Sequence, residues 1–404
     1  MVIATLLTLT LLFNRMEAGL VPFPTSDRPC VSFMLPVPAT AQNIEYDTVH
    51  VSDNINATAY AVDLDTWSSK NAASRVLRKF TISDTFDISV QLCLPPNGIK
   101  KQNLLIATHG GGFDKRYWDP AITPSEYSFV DAALAGGYSI LTYDRLGTGL
   151  SDKPDAYTIV QAPLQLEILR GITNMARSGE LLKHAAGTAD LALTTAKGSY
   201  RSFNKVIHVG HSFGSFLTHN FLATYGNLSD AAVLTGYILN EHLAEARVTA
   251  FGLEYAPQHN MTLFGDRSSG YMVGGTLAAL QTVFFSTQAD ATTGIGGFDT
   301  GVLEYAFSIR QTITTSEFIQ FAMSLEPAPR FKGPLQFMLA EFDFAICRGD
   351  CKLPFDHPTF EKLYPNATDI DIYTQEGSGH ALTMHRKANL GYKATLDWLD
   401  KKGF

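Results

Sequence analysis

The rhythm of apolar positions changes several times along this 404-residue chain. It opens on a largely apolar run from Met1 to Phe13, closed by Asn14-Arg15, with a small residue at Ala18. Such a run is too short to cross a bilayer but suits the centre of a secretory leader, here residues 1–18. From 19 to 74 Pro, Asn, Thr and Asp break up the apolar positions, and the stretch reads as an irregular arm over the surface. A different order begins at 75. Residues 76–83 and 86–94 alternate like a hairpin joined by Asp84-Thr85. Short apolar runs at 104–108, 139–143, 206–209, 231–239, 335–339 and 370–373 have the form of buried parallel strands. Helical spacing appears at 213–225 and 390–399.

Strands alternating with helices imply an α/β fold with a mostly parallel central sheet covered by helices on both faces. The alternation lapses from 240 to 330, where Gly, Phe, Tyr and Thr dominate and 302–309 and 318–325 are helical in spacing. An insertion of that length after a strand is expected to be a mostly helical cap over the site. The layout is then a leader (1–18), an arm (19–74), a core in two parts (75–239 and 331–404) and a cap between them (240–330).

Composition adds constraints. Hydrophobic residues at 45% and charged residues at 17% describe a folded globular chain. A formal net charge of −8 disfavours nucleic acid and anionic membrane surfaces as partners. No repeat or Pro-rich linker separates two domains, and no Cys-x-x-Cys or Cys/His cluster suggests a metal site. Asn56, Asn227, Asn260 and Asn366 each head an N-glycosylation sequon, which fits a secreted, extracellular protein without a stable membrane anchor. Four cysteines permit three pairings. The short Cys347-Arg-Gly-Asp-Cys351 loop can close on itself, leaving Cys30 for Cys93.

The sharpest chemical signal is Gly210-His211-Ser212-Phe213-Gly214, entered by an apolar strand and followed by an apolar helix. A serine on so tight a turn needs glycines beside it, and this context marks Ser212 as a nucleophile. Serine is a poor nucleophile at neutral pH without a base and an orienting acid. Asp343 and His380 stand just past the strands at 335–339 and 370–373, in the expected chain order. Glu341, Asp350 and Asp356 are the rival acids. His385, expected within the last helix, is the rival base, whereas His208 reads as core. His109-Gly110-Gly111-Gly112 follows the strand at 104–108, where an oxyanion-binding N–H is expected. Gly111 is the candidate donor, Gly110 the fallback, and the backbone N–H of Phe213 the second donor.

On these residues the chain resembles the α/β-hydrolase superfamily from about 75 to the C-terminus, the cap apart. His109-Gly110, the elbow, Asp343, Gly379-His380 and the stretch Asp144-Arg145-Leu146-Gly147-Thr148-Gly149-Leu150-Ser151 fall in the family's order. The resemblance implies that Arg145 and its glycines support the site rather than react. The loop 113–119 is similar to one in secreted microbial members. A serine at the elbow disfavours epoxide and haloalkane hydrolysis, which use a carboxylate there. The expectation is an esterase or lactonase for a hydrophobic small molecule, working through an acyl-enzyme without cofactor. The alternatives are a peptidase reading an N-terminal ammonium through Glu241, Glu245 or Glu254, and a non-hydrolytic enzyme or ligand-binding protein on the same fold.

Overall fold

The computed structural model describes residues 28–95, 102–187, 202–237, 248–286, 297–321, 325–351 and 357–404. The leader, Glu241, Glu245 and Asp356 lie outside them.

The segment expected to be an irregular arm is instead a long strand and a helix. β1 (Cys30–Tyr46) buries Val31, Phe33, Leu35, Val37, Ala39 and Ala41 while the residues between them are exposed. It pairs antiparallel with β2 (Val76–Cys93) along its whole length. The expected hairpin at 76–94 is therefore one strand, with Asp84 and Thr85 facing Ala39 and Pro38 of β1 in mid-ladder. Small inward residues and two prolines, Pro36 and Pro38, hide the alternation. The prolines are tolerated because β1 is the edge of the sheet, where an outward N–H has no ladder partner to lose. A disulfide ties Cys30 to Cys93 across this pair. The helix Asn54–Asp65 follows, its first turn held by the Asp53 carboxylate, which accepts from the Asn56 N–H at 2.7 Å.

The remaining core strands are β3 (Asn103–Thr108), β4 (Ser139–Tyr143), β5 (Lys205–His211) and β6 (Ala231–Thr235). After them come three short strands, β7 (Leu253–Tyr255), β8 (Tyr271–Gly274) and β9 (Ile313–Thr314), then β10 (Pro334–Ala340) and β11 (Asp369–Gln375). The main sheet runs β1-β2-β4-β3-β5-β6-β10-β11, parallel from β4 to β11 and antiparallel at β1 and β2. Every residue of β3, β4, β6 and β10 is buried, as a sheet covered on both faces requires. The helix Ala162–Ser178 packs on β1 and on the helix Phe213–Tyr225, and Ala388–Lys401 packs on Phe129–Ala135.

β3 lies between β4 and β5, so the chain leaves it in one direction and returns on the other side. That reversal opens a crevice at the C-terminal ends of β3 and β5, where open α/β sheets gather ligands. The described part of 240–330, expected to be a mostly helical cap, is not purely helical. Beside the helices Thr300–Ile309 and Thr315–Phe321 it carries the antiparallel sheet β7-β8-β9. A second hydrophobic core joins this cap to the N-terminal segment: Tyr46, Val51 and Tyr60 pack with Leu253, Met272 and Ile319.

Candidate active site

Ser212 follows β5 directly and precedes the helix Phe213–Tyr225. Its backbone has φ 52° and ψ −117°, a strained conformation for a residue with a side chain. The turn closes only because its flanking residues are glycines. A Cβ at Gly210 would lie 2.6 Å from the Gly214 carbonyl oxygen, and one at Gly214 would lie 2.2 Å from that of Thr108. Backbone so close to β3 sets the elbow against the glycine loop; a Cβ on Gly110 would meet Cβ of Ser212 at 3.0 Å. The Phe213 N–H opens the helix, where unpaired donors and the helix dipole favour negative charge.

Asp343 caps the short helix Phe344–Cys347 after β10, one carboxylate oxygen accepting from the Ile346 N–H at 2.9 Å. Its other oxygen accepts from Nδ1 of His380 at 2.7 Å, with both side chains buried. Glu341, the rival acid, accepts instead from the Gly377 N–H at 2.7 Å and so fixes the loop that carries His380. Asp350 lies in the loop closed by the Cys347–Cys351 disulfide, a loop that begins four residues after Asp343.

His385 is not in the last helix, which starts at Ala388. It is buried beside His380, donating from Nδ1 to the Ala381 carbonyl at 2.8 Å and accepting the Gly379 N–H on Nε2 at 2.9 Å. It therefore grips both neighbours of His380, and burial holds its pKa below the usual imidazole value. His208 is core, bonded to Thr173 and Ser229. His211, in the elbow, stacks on Tyr117 with ring centroids 4.3 Å apart and lies 4.8 Å from the ring of His380. Burial first, and then the neighbouring His380, depress its pKa far below the ordinary range.

The glycine loop is held from behind by Arg145. Its Nε donates to the His109 carbonyl at 3.1 Å and its Nη2 to the Gly110 carbonyl at 3.3 Å. Its backbone N–H donates to Nε2 of His109 at 2.9 Å, which leaves the His109 proton on Nδ1, pointing at the Gly110 carbonyl 2.8 Å away. Burial and the Arg145 charge bring the pKa of His109 down to about 3. The guanidinium lies over the ring of Phe213, 4.7 Å from its centroid, and pairs with Glu317 of the cap and with Gln165. The neighbouring loop 113–119 is pinned through a buried ion pair, Lys115 Nζ to Asp144 at 2.7 Å.

Gln165 and Glu317 were not foreseen from the sequence. A signal for Glu317 exists: Thr314 and Glu317 form a capping box, the Thr314 N–H donating to the Glu317 carboxylate at 2.9 Å. Of the aromatics in 240–330, Phe251, Phe284, Phe318 and Phe321 line the cavity. Tyr305 and Phe307 do other work, Tyr305 accepting from the Ala121 N–H and Phe307 lying under Arg310. Glu254 bonds His259 at 2.9 Å.

Gly111, Ser212, Phe213 and His380 open together into a cavity of about 470 Å³, walled by Phe251, Phe284, Ile313, Phe318, Ile319, Phe321 and Ile346. Residues 64–67 and 69–72, from the segment expected to be an irregular arm over the surface, also line it.

Residues 104–389 match the family model described as the alpha/beta hydrolase family. The chain belongs to that family. No curated relative matches it. Among solved structures the hydrolase is similar to a bromoperoxidase from Bacillus anthracis, with 18% identity, coverage of 78% of this chain and 96% of that one, and a TM-score of 0.47. It is also similar to a thermophilic esterase from Thermogutta terrifontis, at 12% identity, 79% and 94% coverage and a TM-score of 0.47. A monoacylglycerol lipase from Paleococcus ferrophilus shares 13% identity, with 76% and 96% coverage and a TM-score of 0.45. Nothing about reaction or substrate follows from likenesses this distant.

Proposed function

We propose that the chain is a secreted serine hydrolase that cleaves a carboxylic ester or lactone of a hydrophobic small molecule. The observation that carries this reading is the strained Ser212 opening into an apolar cavity beside a histidine whose far nitrogen is held by a buried carboxylate. In this mechanism Ser212 Oγ attacks the acyl carbonyl and His380 Nε2 takes its proton. Asp343 keeps the other imidazole proton on Nδ1 and stabilises the imidazolium. The Gly111 and Phe213 N–H groups receive the developing oxyanion. His380 then protonates the leaving alcohol, and water releases the acyl group by the same steps.

Secretion is supported by the leader-like start, by two disulfides, and by sequon asparagines that reach the surface. Asn227 and Asn366 are exposed, while Asn56 lies in the first turn of a helix rather than in a loop. Residues 240–330 act as the cap. The test is a fluorophosphonate probe followed by peptide mapping. A covalent adduct on Ser212, absent from Ser212→Ala, is expected, together with turnover of p-nitrophenyl esters. A folded protein that neither labels nor hydrolyses any ester removes the assignment.

A further inference from the structure

The N-terminal segment shares the lining of the cavity with the 240–330 segment. Residues 64–67, 69–72 and Arg75 line it together with Ser212. This segment cannot be a loose flap. Tyr60 donates to the Thr315 carbonyl at 2.6 Å, and the Asp65 carboxylate receives the N–H groups of Val248 and Thr249 at 2.9 and 2.7 Å. With the second hydrophobic core these bonds make the segment and the cap one rigid rim.

The charged side chains of this rim have partners within the protein. Asp65 holds the turn at Val248–Phe251, Lys70 pairs with Asp47 at 2.6 Å, and Arg75 pairs with Asp63 at 2.7 Å. Deeper in, the Glu317 carboxylate is neutralised by Arg145. Hydroxyls are committed too: Thr66 Oγ1 donates to the Val62 carbonyl, and Ser69 Oγ accepts from Arg75. The indole of Trp67 lines the cavity yet is 94% exposed. A bare indole beside an apolar cavity offers stacking to a flat or ring-shaped group, and its electron-rich face disfavours an anion.

We infer that Trp67 is a recognition site for an elongated substrate with no anion at its far end, whose ring-bearing end stacks on the indole while its ester carbonyl reaches Ser212. The inference rests on the esterase reading for the reacting end only. A cavity of about 470 Å³ suits a molecule with more than a short acyl group.

Three probes test it: p-nitrophenyl butyrate, p-nitrophenyl 8-phenyloctanoate, and the p-nitrophenyl monoester of octanedioic acid, which ends in a carboxylate. Wild-type protein is expected to prefer the phenyl-ended ester to the carboxylate-ended one. In Trp67→Ala the ratio of kcat/KM for the phenyl-ended ester to that for butyrate is expected to fall about ten-fold, a loss of the size stacking supplies. An unchanged melting temperature controls for folding. A second measurement does not need turnover. Trp118 and Trp398 are buried, so in Ser212→Ala a change of indole emission on adding methyl 8-phenyloctanoate reports Trp67, and Trp67→Phe in that background abolishes it. An unchanged ratio, a silent emission, or preference for the carboxylate-ended ester overturns the inference. If emission responds but no ester is ever hydrolysed, the rim site stands and the esterase reading falls.

Discussion

Arg145 donates to the carbonyl oxygen of Gly110 at 3.3 Å, and that carbonyl shares a planar peptide unit with the N–H of Gly111. Holding one end of the unit fixes the direction of the other. His109 Nδ1 holds the same oxygen, so the proposed oxyanion donor is set by two side chains that never touch substrate. Glu317 anchors Arg145 from the cap, which links the seating of the cap to the aim of that donor. Arg145→Lys keeps the charge but loses the planar fork. It is expected to lower kcat about 10- to 100-fold on p-nitrophenyl butyrate with little change in KM, because the oxyanion forms only on the way to the intermediate. A raised KM with kcat intact would assign Arg145 to substrate binding instead.

Asp343→Asn is expected to reduce kcat by about four orders of magnitude while leaving the fold intact, since an amide favours the wrong tautomer of His380. Glu341→Gln acts through the Gly377 N–H and is expected to cost less than ten-fold, an amide oxygen still accepting that bond. Rates of the two variants on one ester decide the matter. The reverse order would make Glu341 the acid.

The placement of the elbow, Asp343, His380 and the glycine loop just past strand ends was legible, because strand ends are where a parallel sheet collects its chemistry. β1 was not legible. Its inward positions include Ala39 and Ala41, and Pro36 and Pro38 stand where a central strand could not carry them. Only the pairing with β2 shows that the edge position makes them harmless. His385 was misplaced because its role depends on reaching back to Gly379 and Ala381, a contact of fold rather than of spacing. Glu317 lay behind a readable capping box, but its pairing with Arg145 spans 172 positions. The part played by Asp65 was hidden for the same reason: the N–H groups it receives, from Val248 and Thr249, lie 183 and 184 positions away.

The two disulfides should differ in what they protect. Chain-entropy arguments give a bridge of separation 63, Cys30–Cys93, about 4 kcal/mol, and one of separation 4, Cys347–Cys351, about half of that. Cys347–Cys351 closes the loop that starts with the Asp343-capped turn, where the Cys347 and Gly349 N–H groups both donate to the Asp343 carbonyl. Replacing Cys347 and Cys351 by serine is expected to lower kcat more than melting temperature, and replacing Cys30 and Cys93 to do the opposite. Parallel thermal melts and initial rates check both halves.

Acid should unfold this protein through its histidines. His109, His208, His211, His219 and His385 are all buried, and burial is the first cause of a lowered pKa in each, to about 3 for His109 and His208 and about 4 for His219. In the unfolded chain each returns to a value near 6.5. Below that pH the unfolded state binds protons that the folded state refuses, so stability falls as pH falls, and it is fully present above about 6.5. Each such group contributes a slope of about 1.4 kcal/mol per pH unit. Slopes of that size acting together exhaust a stability of 5–15 kcal/mol within about one to three units. The acid midpoint is therefore expected between about pH 3.5 and 5.5. Calorimetry in buffers of different ionisation enthalpy counts the protons taken up on unfolding, and about four are expected at pH 5.5. His208→Gln can still bond Thr173 or Ser229 but does not titrate, and it should lower that count by about one. An unchanged count would mean that His208 is already protonated in the fold, and a loss of stability on raising the pH above 6.5 would reverse the argument for the whole set.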